Sequence, residues 1–177
     1  MVIFDKGNLL LPPLFALIRS QSVTTALRTS ALSLLADCVS TYTLAVLPYV
    51  VDLADAMIDL LQVEGVSARD TSRQKPDAET DPDKTPPTMD SQPLSVDSKF
   101  PPLRRAALHF LSLLIRSLTE QTYENSLGDV HMYMATVQRA RTTLAYIAST
   151  DEDTIVRVMA REAGEGLEQL QQAFLGL

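Results

Sequence analysis

The chain has no tryptophan, one cysteine, two histidines and six glycines in 177 residues. Each scarcity removes a class of function. Cys38 alone forms no internal disulfide and no paired metal or redox motif. Lying in an apolar stretch with no His or Arg beside it, it reads as a buried thiol rather than a reactive one. A chain without disulfides is expected inside the cell. His109 and His131 form no H-E-x-x-H pair or other ligand spacing. No glycine-rich phosphate loop and no G-x-S-x-G elbow occur. The expectation is therefore a protein with no catalytic residues, no metal and no cofactor.

Positive charge is also scarce: the net charge is −7 and the isoelectric point is near 4.7. A nucleic-acid binder shows a basic face or stripe, so nucleic acid is not expected as a partner. No apolar run approaches the roughly 18 residues of a membrane helix. The opening MVIFDKGNLLLPPLFALIRS has the look of a secretion signal. However, Asp5 precedes its apolar run, Pro12 and Pro13 interrupt it, and no small-x-small cleavage site follows. A soluble chain without membrane insertion is expected.

What is present is helical periodicity. Leu9–Arg19 reads as a short helix with Pro12 and Pro13 in its first turn. A second helix starts at Thr24 or Thr25 and runs to about Thr41, with Leu27, Ala31, Leu34, Cys38 and Tyr42 as its apolar face and Arg28 on the wet side. A third follows Pro48, its stripe Leu47, Val50, Val51, Ala54, Met57, Ile58 and Leu61 opposed by Asp52, Asp55, Asp59 and Gln62. Short turns between these helices predict antiparallel neighbours. After Pro101 and Pro102, a fourth places Leu103, Ala107, Phe110, Leu111, Leu114 and Leu118 in the core. The fifth spans roughly Leu127–Ser149, with Val130, Met134, Val137, Leu144 and Ile147 or Ala148 inward. Thr150 or Asp151 caps the sixth, where Val156, Met159, Ala160, Ala163, Leu167, Leu170 and Phe174 keep helical spacing. No strand pattern competes.

Between the third and fourth helices the composition breaks. Glu64–Lys99 holds five of the ten prolines, eight acidic and five basic residues, and few large apolar groups. Such a segment buries too little to offset its ordering entropy and is predicted to be a disordered insertion. Closing a loop of that length costs only about 2 kcal/mol more than a four-residue turn. Its coil span of roughly 30–36 Å easily joins adjacent helices. The insertion is therefore read as an excursion from one domain, residues 1–177, rather than a boundary between two. Thr80 and Thr85-Pro86 within it are candidate phosphorylation sites.

One motif recurs. A branched aliphatic residue, Arg, two residues and Ala occur as Leu27–Ala31, Leu103–Ala107 and Val156–Ala160. The first two copies are 76 residues apart, or 40 without the 36-residue insertion, and the last two are 53 apart. Both spacings are near the 40–47 residues of HEAT or armadillo units. The predicted architecture is an all-α, HEAT/armadillo-like stack of about six antiparallel helices, read as the carboxy-terminal end of a longer array. In such a stack Arg28, Arg104 and Arg157 are expected to reach an acidic group or free carbonyl of a neighbour. Arg105, His109, Ser112 and Arg116 form the outward face of the fourth helix, and Asp52, Asp55 and Asp59 an acidic ridge on the third. These seven are the candidate partner-binding residues. His109 is read as groove-lining rather than catalytic, and His131-Met132-Tyr133-Met134 as packing rather than a soft-metal site.

LRTSALSLLADCVSTYTLAVLPYVVDLADAMIDLLQVE, then an acidic break, PPLRRAALHFLSLLIRSL, and TTLAYIASTDEDTIVRVMAREAGEGLEQL together resemble the carboxy-terminal HEAT region of the fungal RNA polymerase II assembly and nuclear-import factor family. The animal relative of that family is a transport and Golgi organisation protein. The likeness runs from about Leu10 to Leu170 and is most specific at Leu27–Glu64 and Leu103–Leu118. It implies a non-catalytic cytoplasmic scaffold, shuttling to the nucleus, that binds RNA polymerase II subunits, co-chaperones and nuclear-pore components. A secretory-pathway or Golgi organisation factor, and a generic HEAT-repeat adaptor, are the alternatives. A regulatory subunit or small hydrolase using His109 is a further class.

Overall fold

Helix is the only regular structure among the residues that the computed structural model describes, 13–20, 22–73, 101–123 and 134–175. The first helix, α1, covers residues 13–19 and begins on Pro13, whose missing N–H is no loss in a first turn. Helix α2 spans Thr25–Thr41 and ends where the Tyr42 N–H bonds the Cys38 carbonyl. A single turn, α3 (Thr43–Val46), leads into a 3₁₀ turn at Leu47–Tyr49. Pro48 cannot donate the hydrogen bond an α-helix needs there, so the chain tightens before α4 (Val50–Arg73) starts. Helices α5 (Pro101–Tyr123), α6 (Met134–Thr150) and α7 (Thr154–Leu175) complete the chain.

The helices lie in two rows. In one, α2 packs on α5 and α5 on α7; in the other, α4 packs on α6. The rows meet through α4 on α5 and α6 on α7. Side-chain pairs give the directions. Asp55 meets Thr136 and Arg139, and Gln62 meets Thr143, so α4 and α6 run parallel with an offset near 81 residues. Arg104 meets Asp151, Arg105 meets Asp153, and Ile115 lies against Gly166, so α5 and α7 are parallel too. Alternate helices thus run in the same direction, as stacked helical hairpins require.

All the described helices feed one hydrophobic core. The α5 stripe behaves as its pattern predicts: Leu103, Ala107, Phe110, Leu111, Leu114 and Leu118 are buried, joined by Leu108 and Ile115. Where α4, α5, α6 and α7 converge, only a small void of about 20 Å³ remains, lined by Val50, Leu114, Val137 and Leu167 among others.

Several expectations are corrected. Leu27 and Leu34 are 51% and 53% exposed and Tyr42 is also exposed, whereas Arg28, Ala31, Leu32, Leu35, Ala36 and Val39 face inward. The true face of α2 is turned by about one residue, because both stripes are apolar and the buried Arg28 selects between them. Its Nε donates to the Ile18 carbonyl at 2.9 Å and its Nη1 pairs with Glu64 at 3.1 Å. Cys38 is half-buried rather than enclosed. Helix α2 packs chiefly on α5 and meets its sequence neighbour α4 through the buried Arg28–Glu64 ion pair. Met134 and Phe174, expected in the core, are exposed at their helix ends.

The cap of α7 also moves. Asp153 accepts the N–H groups of Ile155 and Val156 at 2.9 and 3.0 Å, while Thr150 bonds back to Tyr146 within α6. Helix α4 continues through Arg73, past the composition break at Glu64, because the first proline comes only at position 76. The rest of the predicted insertion, with Thr80 and Thr85, and also Val130 and His131, lie outside the described residues.

The rotated α2 face has a direct check. Leu35→Ala is expected to cost 2–5 kcal/mol by denaturant unfolding, since Leu35 is 2% exposed. Leu34→Ser is expected to stay within about 0.5 kcal/mol of the parent. Equal losses at both positions would contradict this orientation.

Candidate functional site

The acidic ridge on α4 is largely spent inside the chain. Asp55 and Asp59, one turn apart, are bridged by one guanidinium: Arg139 Nη1 lies 2.8 Å from Asp55 and Nη2 lies 2.7 Å from Asp59. Arg19 of α1 reaches Asp59 from the other side at 3.5 Å. The Asp59 hydrogen bond holds the Arg139 pKa above its ordinary value; partial desolvation opposes this, and the charges of Asp55 and Asp59 add to it. Asp52 stays exposed at the start of the ridge. The ridge therefore clamps α4 to α6 and α1.

The outward face of α5 divides in two. Arg105, nearest the helix start, is committed to an ion pair with Asp153, the residue that caps α7. His109, Ser112 and Arg116 continue along the same face and line a groove of about 640 Å³ between α5 and α7. The opposite wall carries Glu162, Glu165 and Gln169. Leu113, Ile115, Ala163 and Gly166 form the apolar base. Gly166 permits this close approach, since a Cβ there would come within 3.3 Å of Ile115 Cγ2.

The α7 wall and the far α5 residues Thr119 and Glu120 were not among the sequence candidates. A signal for the α7 wall existed. Adding the 53-residue motif spacing to His109, Ser112 and Arg116 gives Glu162, Glu165 and Gln169. Positions 53 residues apart on two parallel helices thus line one groove. Using that signal requires knowing that the two helices pack side by side and parallel, which the motif alone does not state.

The groove offers donors from α5, carboxylates mainly from α7, and an apolar base. It has no nucleophile hydrogen-bonded to a base, the geometry covalent catalysis needs. Among the described residues no group of three or more His, Cys, Asp or Glu is placed to hold a metal ion. No described helix is long and apolar enough to cross a membrane. No protein-family model, curated protein or solved structure matches the chain, so the site is read from its own geometry.

At the head of the groove, the Val156 N–H bond and then the Arg105 guanidinium hold the Asp153 carboxyl below its usual range. A carboxylate with a lowered folded pKa stabilises the protein above the unfolded value, about 3.9. That contribution is lost as pH falls through the folded pKa. Asp153→Asn keeps a capping oxygen but cannot titrate, so its unfolding free energy is expected to fall less steeply than the parent's below about pH 4. Identical acid slopes would contradict the assignment.

Proposed function

We propose that this chain is a HEAT-like, non-catalytic scaffold that binds proteins during RNA polymerase II assembly and nuclear import. The observation that carries the architectural part is the parallel pairing of alternate helices. Gln62 on α4 and Thr143 on α6 meet 81 residues apart, an interval that spans the composition break. The α5–α7 ion pairs join residues 47 and 48 apart. Those two α5–α7 intervals lie at or just beyond the 40–47 residues of HEAT and armadillo units.

Stacked hairpins also account for the three recurring arginines. Arg28, Arg104 and Arg157 sit on α2, α5 and α7, the three helices of one row. Each binds a carboxylate or carbonyl: Ile18 and Glu64, Asp151, and the Asp151 carbonyl respectively. A repeat keeps such a residue because every unit must present the same face to the next.

The cellular role rests on the sequence likeness to the polymerase assembly and import family. Its partners would be RNA polymerase II subunits, co-chaperones and nuclear-pore components, met in the cytoplasm and carried toward the nucleus. An open groove rimmed by charge suits a scaffold better than an enclosed apolar pocket would.

Affinity purification of the tagged chain from an extract of fungal cells tests the role. Polymerase II subunits are expected to co-purify, and their absence would overturn the polymerase reading. Recovery with Golgi membranes in place of the subunits would move the chain to the secretory pathway.

A further inference from the structure

Most charges on the described surface are used within the chain; Asp37, Asp52, Arg116, Glu120, Arg161, Glu162 and Glu165 are not. Among arginines whose side chains are described, only Arg116 and Arg161 lack an acid, carbonyl or hydroxyl partner. Glu120, Glu162 and Glu165 make no ion pair or hydrogen bond among the described residues. Four of these seven residues, Arg116, Glu120, Glu162 and Glu165, line the α5–α7 groove. Across it, Arg116 and His109 on one wall face Glu162 and Glu165 on the other without pairing. Elsewhere the parallel helices spend such charges on each other, as Arg105 does with Asp153 at the head of this groove.

The shape sets the kind of occupant. From His109 to Glu120 the α5 wall extends eleven residues, about 16 Å at 1.5 Å per residue, or three helical turns. Between two parallel helices the base is a shallow apolar trough of Leu113, Ile115, Ala163 and Gly166. A third helix fits such a trough by setting its own ridge into it. Strand addition needs an unpaired sheet edge, and no strand occurs among the described residues. A small ligand would favour an enclosed, largely apolar pocket.

We propose that the α5–α7 groove receives one amphipathic helix of a protein partner, about three turns long, with flanks of opposite charge. Its apolar side chains rest on Ile115, Ala163 and Gly166. A Lys or Arg flank meets Glu162 and Glu165, and an Asp or Glu on the other flank meets Arg116. This inference rests on the scaffold reading and names the surface that such a scaffold would use. The two walls select by sign: a helix with both flanks basic meets Arg116, and one with both flanks acidic meets Glu162 and Glu165.

Three synthetic 14-residue helical peptides with one shared Leu stripe test this by fluorescence anisotropy against the full chain. One carries Lys on one flank and Glu on the other, one Lys on both, and one Glu on both. The mixed peptide is expected to bind at least tenfold more tightly than either of the others. Arg116→Glu is expected to transfer the preference to the all-Lys peptide. No saturable binding, or equal affinities for all three, would overturn the proposal. So would self-association of the chain that Arg116→Glu, Glu162→Lys and Glu165→Lys together abolish, because the occupant would then be a second copy.

The same triple variant, shown by circular dichroism to be folded, separates this inference from the reading beneath it. If polymerase subunits co-purify equally with the parent and the variant, the groove assignment falls and the scaffold role stands. If the mixed peptide binds as expected while no subunits co-purify with the parent, the groove stands and the polymerase role falls.

Discussion

The ion pair between Arg104 and Asp151 is the contact on which the arrangement of α5, α6 and α7 depends. Arg104 is 2% exposed, with Nη2 bonded to Asp151 Oδ1 at 3.0 Å and Nε 2.9 Å from Oδ2. A guanidinium that deep is strongly destabilising without its counter-charge. Asp151 in turn accepts the Asp153 N–H at 2.9 Å, and its own carbonyl accepts Arg157 at 2.8 Å. One residue in a three-residue turn therefore ties the start of α5 to the start of α7. Arg104 Nη1 is buried without a hydrogen-bond partner among the described residues, so the pair is not an optimised source of stability. Its value lies in register. Apolar stripes alone tolerate sliding by a turn, whereas this pair, with Arg105 on Asp153 beside it, holds one offset.

That offset generates the groove. With α5 and α7 parallel and fixed at their starts, His109, Ser112 and Arg116 of one helix and Glu162, Glu165 and Gln169 of the other line one groove. The sequence of α5 supplies donors at those places and α7 supplies carboxylates. Arg105 and Asp153 pair at the head, while the charges farther along the groove do not close on one another. Along α4 and α6 the same parallel geometry has the opposite outcome. Arg139 closes on Asp55 and Asp59, so that side becomes a clamp instead of an opening.

How much of this was legible depended on how one-sided each helix is. Helix α5 has one dominant apolar stripe opposite Arg105, His109 and Arg116, and every residue of that stripe is buried, although Arg104, Leu108 and Ile115 beside it are buried as well. Helix α2 has two. Leu27 and Leu34 compete with Leu32, Leu35 and Val39, and the choice falls to Arg28, whose partners Ile18 and Glu64 are 10 and 36 residues away. No local pattern reveals such distant partners. Capping by Asp153 instead of Thr150 or Asp151 was hidden for a related reason: three consecutive acidic residues each suit a helix start, and long-range pairing assigns Asp151 elsewhere. Of the groove, the α5 half was visible as a face, and the α7 half only through a repeat spacing whose meaning depends on the packing.

Buried charge at Arg104 and Asp151 locks α5 and α7 in one parallel register. A double-mutant cycle on Arg104→Met and Asp151→Asn, followed by denaturant unfolding, tests that claim most directly. Each single substitution is expected to cost about 3–5 kcal/mol because it strands a buried partner. The double variant is expected to lose less than the sum of the two, by at least about 1 kcal/mol. Additive losses, or single losses below about 1 kcal/mol, would show that the pair does not hold the register and would contradict the account.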